Sequence, residues 1–173
     1  MDGTNLMMQG HLYNRNTQMP PPTLADLRTY HYGSPTIEES PAAWFVFDSG
    51  TGTITGFNYV EGREDVVIPW EIGGVAVEAI GEMAFSPDFS GTPVETLIGP
   101  KTLWSIGESA FYYCISLTSV YFGTAKPTEG VDMFSTNGGP INVTIYYPTG
   151  ASAWSGVTTW GGKTTAPYTP PAP

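Results

Sequence analysis

The chain has 173 residues, of which only 13% are charged, and its 21 Gly and 16 Pro residues make it rich in turn formers. Its 6 Lys and Arg residues stand against 16 Asp and Glu residues, and the formal charge of −10 repels nucleic-acid phosphates and anionic lipid head groups. Composition therefore argues against a nucleic-acid binder and a membrane-surface binder, and the 40% of hydrophobic residues argues against a wholly disordered chain.

Targeting and redox signals are sparse. No segment approaches the roughly 20 consecutive apolar residues of a membrane-spanning helix. The start, residues 1–5, lacks the basic and then apolar regions of a secretory signal, so we expect either use without such export or trimming of an upstream signal. The single cysteine, Cys114, allows no internal disulfide and completes no zinc motif.

Residues 1–43 contain several prolines and few aliphatic residues, which predicts an extended arm. Thr23 to Asp26 resembles a capping box, so we expect one short helix there. Such a helix is marginal in water, and an ordered arm needs a surface on its own domain or on a partner; a flexible N terminus is the alternative. The predicted anchoring residues are Pro20, Pro21, Pro22, Leu24, Leu27, Tyr30 and Tyr32.

Residues 44–160 change to short β-type runs separated by Gly-rich turns, as at residues 44–47, 53–57 and 65–69. Gly73-Gly74 predicts a two-residue hairpin turn, because glycine tolerates the positive φ that such turns require. Residues 161–173 end in a run of prolines and predict a C-terminal tail with polyproline II character.

An internal repeat is the most specific signal in the chain. Residues 80–85 (IGEMAF) recur as residues 106–111 (IGESAF), and a weaker third unit runs from Val131 to Pro148. This arrangement resembles the BspA-like leucine-rich repeat, whose unit reads I-P-x-x-V-x-x-I-G-x-x-A-F-x-x-C-x-x-L-x-x-V. Residues 100–120 match almost every marked position, whereas the first unit carries an insertion between Phe85 and Val94.

The resemblance covers roughly residues 48–160 and implies a mainly β fold: a short solenoid of BspA-like leucine-rich repeats with capped ends and an extended N-terminal arm. Each repeat is then a β-strand plus a turn or short helix. Stacked units predict that Ile80 lies over Ile106 and Phe85 over Phe111. Cys114 becomes a buried, unreactive residue, and the region of Trp154 becomes a cap.

Aligning the β-type runs divides their residues between two faces of one sheet. Val66, Leu97, Val120 and Ile145 point inward, so the alternate column points outward. That column, which we call the outward ladder, consists of Val67, Ile98, Tyr121 and Tyr146. Either the arm or the Trp44 strand packs over this ladder, or it is a contact surface for a protein or a sugar.

Two tryptophans, Trp70 and Trp104, occupy variable turn positions just after the prolines at 69 and 100 and before the Ile-Gly pairs of the repeat. An exposed tryptophan on a turn can stack on a sugar ring or anchor a protein interface. The alternative is that these side chains cover an end of the small domain.

Catalytic and metal-binding patterns are not found in the sequence. Glu61, Glu64, Asp65 and Glu71 form an acidic cluster without the spacing of a calcium loop, so a solvated acidic face is expected. Both histidines lie in the arm, and the repeat-equivalent Glu82 and Glu108 resemble ordinary surface residues rather than a hydrolase pair. We predict that the protein is not an enzyme and has no cofactor or metal.

The favoured hypothesis is a structural and adhesion protein of a bacteriophage particle, located in the virion and present in several copies. Its arm would bind other virion proteins, and its repeat domain would contact neighbouring subunits or a host-surface glycan or protein. The alternative is a bacterial cell-surface or secreted adhesin that binds carbohydrate through Trp70, Trp104 and Tyr121. Neither hypothesis involves nucleic acid or membrane insertion.

Overall fold

The computed structural model describes residues 5–8, 11–14, 39–59, 64–86, 93–137 and 139–168. Within them the fold is mainly β, with short 3-10 helices at Ala42–Trp44 and Ser152–Trp154. No helix in these ranges has the length and apolar character needed to cross a bilayer. In chain order the strands are β1 (Asn5–Met8), β2 (His11–Asn14), β3 (Phe45–Asp48), β4 (Thr53–Phe57), β5 (Asp65–Val67), β6 (Glu71–Ile72), β7 (Val75–Ala76), β8 (Ala79–Ile80), β9 (Thr96–Ile98), β10 (Ser105–Ile106), β11 (Ser119–Tyr121), β12 (Ser135–Thr136), β13 (Gly139–Pro140), β14 (Thr144–Pro148), β15 (Thr159–Trp160) and β16 (Lys163–Tyr168).

A six-stranded sheet carries the predicted ladder. Its spatial order is β5, β9, β11, β14, β16 and β15, and all neighbours are parallel except the terminal pair of β16 and β15. The register places the predicted inward residues side by side, and all are fully buried, which confirms that prediction: Val66, Leu97, Val120 and Ile145. Parallel sheets normally have both faces covered.

A four-stranded sheet lies along the same part of the chain, in the order β3, β4, β8 and β10. The strands β3 and β4 form an antiparallel hairpin, whereas β4, β8 and β10 are parallel. Their register aligns Ile54, Ile80 and Ile106, and all three are buried. The predicted placement of Ile80 over Ile106 is confirmed.

A row of aromatic rings runs through the core. The ring centroids of Phe57 and Phe85 are 4.9 Å apart, those of Phe85 and Phe111 are 5.4 Å apart, and those of Phe111 and Phe134 are 5.0 Å apart. The prediction that Phe85 lies over Phe111 is therefore confirmed. Cys114 is buried beside this row, as predicted, with its thiol 3.2 Å from the carbonyl oxygen of Phe85.

Successive turns also lie on one another. Met83, Ser109 and Asp132 occupy equivalent places, each with a left-handed backbone at φ of 53°, 51° and 49°. The amide of Met83 donates to the carbonyl of Glu108, and that of Ser109 donates to the carbonyl of Val131. The predicted hairpin turn at Gly73-Gly74 is confirmed, with φ of 61° and 81°.

The C-terminal prediction is wrong for residues 161–168. Gly161 and Gly162 form the turn of the hairpin β15–β16, and β16 pairs along β14 from Ile145 to Pro148. The reason is that β14 would otherwise leave its backbone groups unpaired at the sheet edge. Lys163 is buried and donates to the carbonyl oxygen of Ile141 at 2.6 Å, and burial lowers the pKa of its ammonium group. Residues 169–173 lie outside the described residues.

The N-terminal prediction is corrected in one respect. The strands β1 and β2 pair antiparallel, from Asn5 with Asn14 to Met8 with His11, and form a two-stranded sheet. The arm prediction contained no strand, because these four-residue runs show no clear alternation of polar and apolar residues. The predicted short helix after Thr23 lies outside the described residues.

Candidate functional site

The outward ladder has the predicted register. Val67 pairs with Ile98, Ile98 with Tyr121, and Tyr121 with Tyr146, and Ala166 of β16 continues the same column. The sequence prediction of a four-residue column on one face of the sheet is confirmed.

The exposure of this ladder differs from the contact-surface prediction. Val67 and Ile98 have 0% of their surface exposed and share a buried cluster with Tyr168. Tyr121 and Tyr146 are partly buried and stack at 4.7 Å between ring centroids, and Tyr168 meets Tyr121 edge-on at 5.8 Å. Because Val67 and Ile98 are fully buried, they do not form an exposed contact surface.

A buried carboxylate lies on the same face, two residues before Val67. Asp65 is 8% exposed, and burial raises its pKa to about 6, although a hydrogen bond with the Thr96 side chain opposes the rise. The neighbouring charges of Glu95 and Glu64 raise the pKa further. The expected solvated acidic face is therefore wrong at Asp65, because strand pairing buries this side chain. Glu71 is exposed on β6, and Glu61 lies outside the described residues.

The phenol of Tyr121 lies close enough to the Asp65 carboxylate for the carboxylate charge to affect its pKa. Burial raises the pKa of Tyr121, and nearby Tyr146 and Asp65 raise it further. The phenol therefore keeps its proton in ordinary buffers. The face formed by Asp65, Val67 and Tyr121 is best described as a packed layer of the domain.

Trp70 and Trp104 lie at turns, as predicted, and both side chains are exposed, by 46% and 58%. Their backbones are held firmly. The amide of Trp70 donates to Oε1 of Glu39 at 3.1 Å, and its carbonyl accepts from the amide of Val77 at 2.9 Å. The amide of Trp104 donates to the carbonyl of Glu78 at 2.9 Å. Two exposed indoles therefore project from rigid turns.

The end of the arm is fastened to the edge of the six-stranded sheet. The amide of Ser40 donates to the carbonyl of Val67 at 2.8 Å, and the amide of Val67 donates to the hydroxyl of Ser40 at 3.0 Å. Burial raises the pKa of the Glu39 carboxyl group, and the hydrogen bond from the Trp70 amide opposes this rise. Glu39 therefore links the end of the arm to the turn that carries Trp70. The anchoring residues predicted upstream lie outside the described residues: Pro20, Pro21, Pro22, Leu24, Leu27, Tyr30 and Tyr32.

The other candidate catalytic and metal-binding residues do not form a site among the described residues. Glu82 and Glu108 are exposed on adjacent turns, where the amide of Met83 meets the carbonyl of Glu108. Among the described residues, no three His, Cys, Asp or Glu side chains are arranged to hold a metal ion.

Sequence reasoning missed three residues that shape this region. Tyr168 and the hairpin leading to it have a signal in Gly161-Gly162, since the same dipeptide at residues 73–74 predicts a turn. Glu39 and Ser40 carry no local signal, because their partners Trp70 and Val67 are about 30 residues away in the chain. Compared with family models, with curated proteins and with solved structures, the chain matches none of them.

Proposed function

We propose that this chain is a non-enzymatic structural and adhesion protein of a bacteriophage particle. A short solenoid of BspA-like leucine-rich repeats forms its rigid part, and the N-terminal arm joins it to other virion proteins. The solenoid proposal is supported by the aligned isoleucines of β4, β8 and β10, by the stacked row from Phe57 to Phe134 and by the equivalent left-handed turn residues. Several copies per particle are expected.

The observation that carries the proposal is the attachment of Glu39 and Ser40. Both hydrogen bonds of Ser40 go to Val67 at the sheet edge, and Glu39 holds the backbone of Trp70. The end of the arm is therefore joined by hydrogen bonds to the edge of the sheet. The separate hairpin β1–β2 supports an anchoring role as well, because a two-stranded sheet alone is only marginally stable in water and gains from pairing with a partner.

Deletion of residues 1–38 tests the anchoring role. We expect the truncated chain to be absent from purified phage particles, whereas the full chain is present when particle proteins are quantified by mass spectrometry. Because the attachment by Glu39 and Ser40 is retained, the truncated chain should keep the fluorescence of its buried tryptophans. A chain lacking residues 169–173 is the matched control and should be incorporated normally. Normal incorporation of the chain lacking residues 1–38 would contradict the proposal.

The second candidate is a bacterial cell-surface or secreted adhesin, which the exposed Trp70 and Trp104 favour. The neighbouring genes discriminate between the two. Phage structural genes on either side support the virion protein, whereas an upstream signal peptide in the full gene supports the adhesin. Cell fractionation gives the same distinction, because the adhesin would be found with the bacterial envelope or free in the medium and not with particles.

A further inference from the structure

The five tryptophans divide into two groups. Trp44, Trp154 and Trp160 are at most 9% exposed. The indole N–H groups of Trp154 and Trp160 donate to backbone carbonyls at Gly123 and Pro127. By contrast, neither Trp70 nor Trp104 makes a ring contact or a side-chain hydrogen bond with the residues that the structure describes. Two large aromatic rings, whose N–H groups donate to none of the described residues, are therefore about half exposed at the surface.

The turns that carry the two exposed indoles lie beside the same segment of the chain. The segment Val77-Glu78 lies between them, since Val77 bonds to the carbonyl of Trp70 and Glu78 bonds to the amide of Trp104. The hydroxyl of Thr102 donates to the carbonyl of Val77 at 2.6 Å and ties these segments together. Neighbouring extended segments lie about 4.8 Å apart, so the two tryptophan backbones are separated by about 10 Å. A ligand that reaches from one turn to the other is therefore longer than one sugar ring and is an extended chain of rings.

The surroundings of the pair are polar. Glu71 and Glu78 are exposed beside it, and exposed Thr128 donates its amide to the carbonyl of Trp104 at 2.7 Å. The other large exposed apolar side chains belong to different segments: Val46, Tyr59, Met83, Ile115 and Val131. The core of a protein interface is a contiguous apolar patch depleted of charge. Isolated aromatic rings among carboxylate and hydroxyl groups instead match a ligand with apolar ring faces and hydroxyl edges.

We propose that Trp70 and Trp104 form a binding platform for a neutral oligosaccharide. The indoles stack on two rings of one sugar chain, and the carboxylates of Glu71 and Glu78 accept hydrogen bonds from its hydroxyl groups. Those carboxylates, in a chain of formal charge −10, repel sugars that carry acidic groups. Rigid turn backbones lower the entropy lost on binding. The platform names the ligand class for the adhesion role and rests on that proposed function.

Binding by the intact chain tests the platform. The probes are a neutral glucan oligomer series, an N-acetylglucosamine oligomer series and polygalacturonate as the acidic probe, titrated by calorimetry. We expect binding by at least one neutral series and none by polygalacturonate. Affinity should rise at least tenfold between the monosaccharide and an oligomer long enough to span about 10 Å, since one ring can contact only one indole.

Substitution of the indoles assigns the binding to these residues. Trp70→Ala and Trp104→Ala should each weaken binding about tenfold, and the double variant should bind no probe. Ile115→Ala is the matched control, because it truncates an exposed apolar side chain on a different turn and should leave the affinity unchanged. Trp104→Tyr should retain much of the binding, since it keeps an aromatic ring. Each variant should still unfold cooperatively, so that a change in affinity reports on the site and not on loss of the fold.

Three results would overturn the platform. The first is that the double variant binds the probes as tightly as the parent does. The second is that the parent binds none of the neutral probes. The third is that the Trp variants lose binding to a protein partner but keep their binding to sugars. Incorporation into particles reports on the anchoring role separately. Sugar binding by a chain that is absent from particles would therefore uphold the platform and contradict the virion proposal.

Discussion

Asp65 illustrates how pairing changes the chemistry of a single residue. In the sequence it belongs to an acidic cluster that predicts exposure, but in β5 it lies beside Thr96 of the neighbouring strand and close to Tyr121. Water is largely excluded, and the carboxylate is disfavoured relative to the neutral acid. The residue type was visible in the sequence, whereas its protonation was decided by its strand neighbours.

The raised pKa of Asp65 predicts a pH dependence of stability. The folded pKa of about 6 exceeds the ordinary value of 3.8, so the folded state binds the proton more tightly. The protonated Asp65 contributes its whole share of the free energy of unfolding below about pH 4. This contribution, at most about 3 kcal/mol, is lost as the pH rises through about 6. Asp65→Asn should therefore match the parent at pH 4 and exceed its free energy of unfolding at pH 7, measured by urea unfolding followed by tryptophan fluorescence.

Asp48 provides the control of opposite sign. Bonds from the Gly50 amide and the Thr51 hydroxyl lower its pKa, so its contribution is lost only as the pH falls below the ordinary aspartate value. Asp48→Asn should leave the change between pH 4 and pH 7 intact. An Asp65→Asn variant that loses stability between pH 4 and pH 7 in parallel with the parent would show that Asp65 does not cause this dependence.

At the scale of elements, the close stacking of turns depends on glycine at Gly81 and Gly107. A Cβ atom at Gly107 would lie 2.6 Å from the amide nitrogen of Glu82 and 2.7 Å from the carbonyl carbon of Gly81. Neither turn can easily retreat, because Gly107 donates to Ile80 and Gly81 donates to Ile54. The Ile-Gly pairs that revealed the repeat therefore have a packing reason.

Gly107→Ala should destabilise the protein by at least about 2 kcal/mol, because the added methyl group meets backbone atoms that are held by hydrogen bonds. The measurement is the midpoint of urea unfolding. A lower midpoint with an unchanged dependence of the unfolding free energy on urea concentration reports a loss of stability. Gly50→Ala is the control and should change stability by less than about 0.5 kcal/mol, since its Cβ would meet only the end of the Asp48 side chain at 3.2 Å. Equal effects of both changes would argue against close turn stacking.

For the whole molecule, the C-terminal end completes the six-stranded sheet. The carbonyl of Tyr168 accepts from the amide and the hydroxyl of Thr149, at 2.8 and 2.9 Å. Trp154 stacks on Tyr147 with 5.1 Å between ring centroids, and Trp160 packs edge-on against Phe122 at 4.9 Å. Trp154, where the repeat resemblance predicts a cap, thus packs together with Trp160 of β15, at 6.2 Å between ring centroids.

Removal of residues 163–173 should prevent stable folding or lower the Tm by more than about 10 °C, since it exposes one edge of β14 and uncovers Tyr121 and Tyr146. Removal of residues 169–173 alone leaves every described hydrogen bond in place and should change the Tm by less than about 2 °C. Thermal unfolding monitored by circular dichroism distinguishes the effects of the two deletions. If the longer deletion melted like the intact chain, residues 163–168 would not be part of the folded unit.

Much of the fold could be predicted from local patterns. The alternation of β5, β9, β11 and β14 placed Val66 and Val67 on opposite faces, and the recurring Ile-Gly and Ala-Phe pairs predicted the rows of Ile80 and Phe85. The positions of Trp70 and Trp104 on turns also followed from the repeat. Exposure could not be predicted in the same way, because it depends on which distant segment lies across a face.

The sequence by itself determined a charge-poor, mainly β chain, the register of β5, β9, β11 and β14, the residues on each face of those strands and the turn positions of Trp70 and Trp104, since these follow from composition and from periodicity over short stretches. Only the tertiary structure decided that Val67 and Ile98 are buried, that Ser40 joins the sheet edge, that residues 163–168 form a strand and that Asp65 holds its proton to about pH 6. These features arise between residues far apart in the chain, where burial and pairing depend on the complete fold rather than on local composition.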